Sequence, residues 1–161
     1  MEERILVMDN LVSKETLGII MEEISCMQWM QEQSNGVPGD PETSGTFFKS
    51  LTTQLPSHRY LFKFFCKTFN LNLECIRSYV NLNPPNSSGA WHTDDGELTL
   101  LFFPQKSWMN AYGGATEFYD HKKVNYAGNR LIIFDAGLKH RAEKNMANFN
   151  RYSIAWKTKK I

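Results

Sequence analysis

Two side chains with metal-ligating chemistry stand two residues apart in the run Trp91-His92-Thr93-Asp94-Asp95. Along an extended chain alternate residues share a face, so the His92 imidazole and the Asp94 carboxylate point the same way. Together they can take neighbouring positions on one metal ion, and a third ligand must then arrive from elsewhere. His140 is the candidate, because it follows the apolar run Leu131-Ile132-Ile133-Phe134 and the turn Ala136-Gly137, which puts it too at a strand mouth. Two imidazoles and one carboxylate on one face of a metal leave three positions open, an arrangement that suits non-haem Fe(II) oxygen chemistry. A His-x-Asp spacing also arises by chance in a chain with four His and 17 Asp and Glu. The neighbouring features therefore matter. No catalytic residue stands out beyond these three ligands.

Arg151 is one such feature, opening the run Arg151-Tyr152-Ser153-Ile154-Ala155-Trp156-Lys157. An arginine buried on an apolar strand needs an anion. Its fork matches a carboxylate, and Ser153, two residues on, offers a hydroxyl from the same face. The other reading is a surface arginine on an edge strand. Lys157 shares that face by alternation, and two readings are open for it: an inward cation that meets a substrate carboxylate or phosphate, or a lysine already outside the core at the start of the tail. Trp91, beside His92, is either a packing residue or a substrate platform.

The elements that must position these residues are legible as a change of period. Arg4–Met8 reads as a short strand, and Ser13 stands where an N-cap belongs, with Glu15 behind it. Leu17, Ile20, Met21, Ile24 and Met27 recur at helical spacing, which predicts a helix over Lys14–Met30. Gln33–Gly45 holds Gly36, Pro38, Gly39, Pro41 and Gly45 and reads as a long surface loop, of the kind that often serves as a lid. A second helix is predicted over His58–Phe69, with Ser57 after Pro56 as its start. From Cys75 onward short runs rich in β-branched and aromatic residues alternate with Gly, Pro and Asn. Strands are predicted at Cys75–Asn83, Glu97–Pro104, Ala115–Tyr119, Asn129–Asp135 and Arg151–Lys157. Strands after helices argue for a mainly β, α+β jelly roll or sandwich braced by N-terminal helices.

The 161 residues suit one domain over 1–161, with helical support over about 1–74 and a jelly-roll core over about 75–161. Lys+Arg 18 against Asp+Glu 17 leaves a net charge of +1, which disfavours nucleic acid as a partner held by charge alone. The start carries Glu2 and Glu3 and lacks a secretory pattern, and no run is long enough to span a bilayer, so the expected compartment is cytoplasmic, with no membrane partner. Cys26, Cys66 and Cys75 are odd in number and show no metal-binding spacing.

In this order the features resemble the iron(II)- and 2-oxoglutarate-dependent oxygenases, in their prolyl 4-hydroxylase-like branch and its small bacterial and phage forms. The likeness begins at Val7-Met8-Asp9-Asn10-Leu11-Val12-Ser13 and passes through Tyr79-Val80-Asn81. It is strongest from His92-x-Asp94 through Thr99–Pro104, Trp108, Gly113–Phe118 and Arg130–Phe134 to His140 and Arg151-Tyr152-Ser153. The resemblance implies a double-stranded β-helix in which His92, Asp94 and His140 hold Fe(II). It also implies that Arg151, helped by Ser153 and Tyr79, binds the co-substrate 2-oxoglutarate, with O2 as oxidant and ascorbate as the accessory reductant it allows. The family couples conversion of 2-oxoglutarate to succinate with hydroxylation of an unactivated C–H bond.

Departures from the family pattern touch the details. Ala115 follows Gly113-Gly114 where many relatives carry Glu, Phe103 stands where some have a co-substrate tyrosine, and the Pro84–Gly89 loop is longer than in some hydroxylases. The leading expectation is a dioxygenase hydroxylating a prolyl residue in a peptide or protein, with a small molecule as the other substrate class. The alternatives are a nucleic-acid oxidative demethylase, suggested by Arg151 and Lys157 six residues apart, and a catalytically silent metal-binding jelly-roll module.

Overall fold

The computed structural model describes residues 5–33, 46–50, 56–120 and 122–161. Strand β1 (Ile5–Asp9) leads into helix α1 (Lys14–Ser25), followed by β2 (Trp29–Gln33), β3 (Thr46–Ser50) and helix α2 (Pro56–Thr68). The remaining strands are β4 (Leu73–Asn83), β5 (Leu98–Phe103), β6 (Thr116–Phe118), β7 (Lys123–Val124), β8 (Arg130–Asp135), β9 (His140–Ala142) and β10 (Arg151–Lys160).

Ser13 caps α1 by accepting the Thr16 N–H at 3.1 Å, which satisfies one of the donors a helix start leaves open. The helix ends earlier than its apolar stripe suggests. Cys26 donates its backbone N–H to the Glu23 carbonyl and Met27 donates its own to the Ile24 carbonyl, and Trp29–Gln33 then pairs with Thr46–Ser50 as strands. Pairing this segment's backbone in a sheet overrides the helical spacing of Met27 and Met30. In α2 the proline occupies the first position, where its missing N–H costs nothing. Asn70, at φ 51°, closes that helix in the left-handed conformation.

The larger sheet runs β1-β8-β5-β10-β4-β3-β2 and the smaller β7-β6-β9. Together they form a double-stranded β-helix, a mainly β jelly roll with the two helices against the outer face of the larger sheet. The first 74 residues are thus more than helical support, because β1, β2 and β3 all join that sheet. Strict alternation decides which side chain faces which layer. Val80, Leu100, Phe102, Leu131, Ile154 and Trp156 meet α1 and α2 through Leu17, Ile20, Ile24, Leu61 and Phe65. The intervening residues Tyr79, Leu101, Phe103, Ile132, Phe134 and Ala155 turn inward toward Phe118 on β6.

Pairing register then fixes which inward residues are neighbours. Arg151 lies opposite Asn83 and Ser153 opposite Asn81 on β4, while Lys157 lies opposite both Arg77 on β4 and Thr99 on β5. A register shift follows immediately, between Lys157 and Thr158. It leaves Ile76 as the extra residue of a β-bulge, a device that re-aims side chains next to functional sites. The loop expected over Gln33–Gly45 lies, apart from Gln33 at the end of β2, outside the described residues, as does His121.

Candidate active site

His92 precedes β5 and makes a two-way backbone bridge to His140 at the start of β9. His92 N–H donates to the His140 carbonyl at 3.0 Å, and His140 N–H donates back at 2.9 Å. This bridge sets the two imidazoles side by side, with ring centroids 4.4 Å apart. Asp94 is held by its own N–H on the Ala136 carbonyl at 2.8 Å. The three residues bring one ligand atom each to within 4.8 Å of one another. His92 Nε2 is 3.6 Å from Asp94 Oδ1, and His140 Nε2 is 3.4 Å from Oδ2.

The hydrogen bonds around this cluster suit metal ligation. The Nδ1 atoms of His92 and His140 each lie 2.8 Å from a backbone carbonyl, of Ala90 and Leu138 respectively. That contact assigns the ring proton to Nδ1 and leaves each Nε2 lone pair facing the carboxylate, as metal-bound imidazoles require. Burial pushes the His140 imidazole down to about 4, against the pull of Asp94, so it is neutral at pH 7. Burial opposes ionisation of Asp94, but Lys157 and His140 beside it, with hydrogen bonds from Lys157 and Thr99, hold its carboxyl below the ordinary range. Two imidazole nitrogens and one carboxylate oxygen, with no thiolate among them, form a donor set for a divalent metal such as Fe(II).

The cluster borders a cavity of about 250 Å³ whose lining also includes Tyr79, Asn83, Arg151, Ser153 and Lys157. Arg151 is only 2% exposed. Its Nε donates to the Gly114 carbonyl at 2.7 Å and its Nη1 to Asn83 Oδ1 at 3.0 Å, with Ser153 Oγ at 3.5 Å. The guanidinium also lies over the rings of Phe103 and Tyr126, at 5.4 and 5.2 Å. Among the described residues no carboxylate is within ion-pair distance of it; Glu143, the acid nearest in effect, is engaged by Lys123 and by the Ala115 N–H. Burial lowers the Arg151 guanidinium to about 10, which still leaves it charged at pH 7. A buried cation of this kind is costly without an anion.

Gly114 is required beneath it. At φ +72° a side chain is strained there, and a Cβ would sit 3.0 Å from Arg151 Cδ and 2.9 Å from the Trp108 ring.

The remaining expected residues divide. Tyr79 lines the cavity, with Lys49 Nζ 4.8 Å and Lys157 Nζ 5.7 Å from its ring centre. Lys157 is inward and 3% exposed, and its ammonium contacts Asp94 Oδ2. Trp91 stands outside the cavity lining, its ring 5.5 Å from that of Tyr119 and covered by Arg141 at 4.5 Å. Asp95 pairs with Arg77 at 2.6 Å on the surface. Phe103 lies beneath Arg151 and stacks on Tyr126 at 4.2 Å. Thr99, Asn83, Gly114 and Tyr126 escaped the sequence reading as site residues. Asn83 was within its reach, since it continues the two-residue alternation from Tyr79 and Asn81 toward the strand opposite Arg151.

No protein-family model matches this sequence. No curated protein matches it either. Solved structures do. An oxidoreductase of the 2OG-Fe(II) oxygenase family from Burkholderia pseudomallei superposes with a TM-score of 0.72 at 13% identity, over 96% of this chain and 84% of that one. A Trichoplax adhaerens prolyl hydroxylase in complex with a peptide fragment of the hypoxia inducible factor oxygen degradation domain gives 0.68 at 14% identity, over 94% and 82%. HygX from Streptomyces hygroscopicus, with nickel, 2-oxoglutarate and hygromycin B bound, gives 0.68 at 10% identity, over 94% and 81%. At these identities the likeness is one of fold, and the double-stranded β-helix of this chain is the fold those enzymes share.

Proposed function

We propose that this chain is an Fe(II)- and 2-oxoglutarate-dependent dioxygenase that hydroxylates a C–H bond, with a prolyl residue in a peptide or protein as the first substrate. The observation that carries the reading is a single cavity bordered by the His92, Asp94 and His140 cluster and by the buried Arg151, a cation with no carboxylate of its own among the described residues. His92, Asp94 and His140 would hold the iron, and Arg151 with Ser153 would take the distal carboxylate of 2-oxoglutarate, helped by Tyr79. Bound iron and 2-oxoglutarate supply the activation of O2 and removal of hydrogen from the substrate.

The chain's own part is to keep both Nε2 atoms unprotonated, to hold Asp94 ionised, and to offer Arg151 as a pre-formed anchor within a largely buried lining. Neighbours of the same fold favour both substrate classes: the Trichoplax enzyme is in complex with a peptide, and HygX carries hygromycin B. The engagement of Lys157 with Asp94 counts against the demethylase alternative, because this second cation is already occupied.

Incubation with Fe(II), 2-oxoglutarate and O2 tests the reaction, first alone and then with proline-containing peptides. Iron-dependent succinate that disappears in His140→Ala is expected, together with the gain of one oxygen atom on a peptide proline. No succinate from folded, iron-loaded protein would favour the silent-module reading; succinate without peptide oxidation would move the search to small molecules.

A further inference from the structure

Asp94 has two carboxylate oxygens in very different surroundings. Oδ2 accepts the Thr99 hydroxyl at 2.6 Å, is also in contact with the Lys157 ammonium, and lies 3.4 Å from His140 Nε2, which donates no proton to it. Oδ1 receives no hydrogen bond among the described residues, and its polar neighbour is His92 Nε2 at 3.6 Å. The two donors come from separate strands and are brought together by register, since Lys157 of β10 lies directly opposite Thr99 of β5. Both are buried, Thr99 at 0% and Lys157 at 3% exposure. Burying an ammonium beside a cluster that must also accept a divalent cation is electrostatically unfavourable, so its presence there calls for a compensating role.

We propose that Lys157 and Thr99 form a clamp that occupies Oδ2 and restricts Asp94 to ligating metal through Oδ1 alone. The inference rests on the functional reading above and deepens it. A carboxylate with both oxygens open can chelate a metal and take two coordination positions. One with a saturated oxygen takes a single position and leaves more of the metal for the other ligands. In this chain those would include the two oxygens that a 2-oxo acid offers. Lys157 is thus a positioning residue. It weakens metal binding by charge repulsion, and it preserves the open positions on which co-substrate chelation depends.

The test uses the whole chain loaded with Co(II) under nitrogen, read by the visible absorption of the metal, followed by titration with 2-oxoglutarate. Wild type, Lys157→Met, Lys157→Arg and Thr99→Val are compared, with thermal unfolding as the check on folding. In Lys157→Met, Co(II) is expected to bind at least as tightly as in wild type, while 2-oxoglutarate affinity for the loaded protein falls on the order of 10-fold or more. Lys157→Arg should recover most of that loss. Thr99→Val should show a smaller loss in the same direction, and it carries the test alone if Lys157→Met does not fold. Co(II) and 2-oxoglutarate affinities that both match wild type would overturn the clamp. Losses of metal and co-substrate in proportion would overturn it too, as the mark of a merely structural lysine. Failure of wild type itself to bind Co(II) would overturn the functional reading and the clamp with it.

Discussion

On the helix-facing side of the larger sheet, Leu100 and Phe102 of β5 and Ile154 and Trp156 of β10 pack against Leu61 and Phe65 of α2. On the other side, the same two strands present Thr99, Arg151, Ser153 and Lys157 to a cavity. Alternation alone separates the two sets. The helix-facing side is complete in itself, an aromatic and aliphatic layer in which Phe65 meets Phe102 at 5.4 Å and Trp156 at 5.9 Å. The cavity-facing side carries a buried guanidinium that lacks an acid among the described residues, and a carboxylate crowded by donors on one oxygen only. Each side also buries a histidine. His58 packs its ring at 6.1 Å from Trp156 with both nitrogens unpartnered among the described residues, whereas His140 has its Nδ1 fixed by a carbonyl. One face is arranged to hold the fold, and the other to hold something else.

Substitutions on the two faces should therefore separate stability from binding. Phe65→Ala, on the helix side, should cost about 3–5 kcal/mol of folding stability through the cavity it leaves, while protein still folded binds 2-oxoglutarate normally. Urea unfolding checks the first part, and a loss below about 1 kcal/mol would contradict the packing assigned to Phe65. Arg151→Met, on the cavity side, should do the reverse. Three lost hydrogen bonds, to Gly114, Asn83 and, at 3.5 Å, Ser153, of roughly 1 kcal/mol or less each, are set against relief of a buried charge. Stability should thus move little, whereas 2-oxoglutarate affinity should fall by about 3 kcal/mol, a charge-assisted pair's worth. Unchanged co-substrate affinity would mean that the carboxylate binds elsewhere.

A smaller effect sharpens the comparison through pH. Burial lowers the His58 imidazole from 6.5 to about 4. The unfolded chain therefore binds a proton that the folded one refuses between those values. The His58 contribution is fully present above 6.5 and is lost as pH falls toward 4. Between pH 7.5 and 5 this amounts to about 2 kcal/mol. His58→Phe should flatten the fall in stability over that window by about this amount, as measured by urea unfolding at the two pH values. A variant with the wild-type slope would show that His58 is not held neutral by its surroundings.

The parts of the molecule that were legible in the sequence are those whose pattern is long or chemically marked. The strands at Cys75–Asn83, Glu97–Pro104, Asn129–Asp135 and Arg151–Lys157 were expected within one to three residues of where β4, β5, β8 and β10 lie. The spacing of His92 and Asp94 and the strand-mouth position of His140 anticipated a cluster that the fold does assemble. β7 and β9, at two and three residues, are too short to leave a period. β2 was hidden because Met27 and Met30 continue the helical stripe of α1, and only its partner β3 makes Trp29–Gln33 a strand. The roles of Thr99 and Asn83 were invisible for a related reason. Each is an ordinary polar residue until antiparallel register sets it opposite Lys157 or Arg151.

The central claim is that one cavity joins a metal cluster to an anchor for a 2-oxo acid. Its most direct test is anaerobic titration of Fe(II) and 2-oxoglutarate, read by the visible metal-to-ligand charge-transfer band, in wild type, His140→Ala and Arg151→Ala. The account predicts a band in wild type, no band in His140→Ala, and in Arg151→Ala a band that appears only at much higher 2-oxoglutarate. Folded wild-type protein that develops no band, or a band of equal strength at equal concentration in all three, would contradict it.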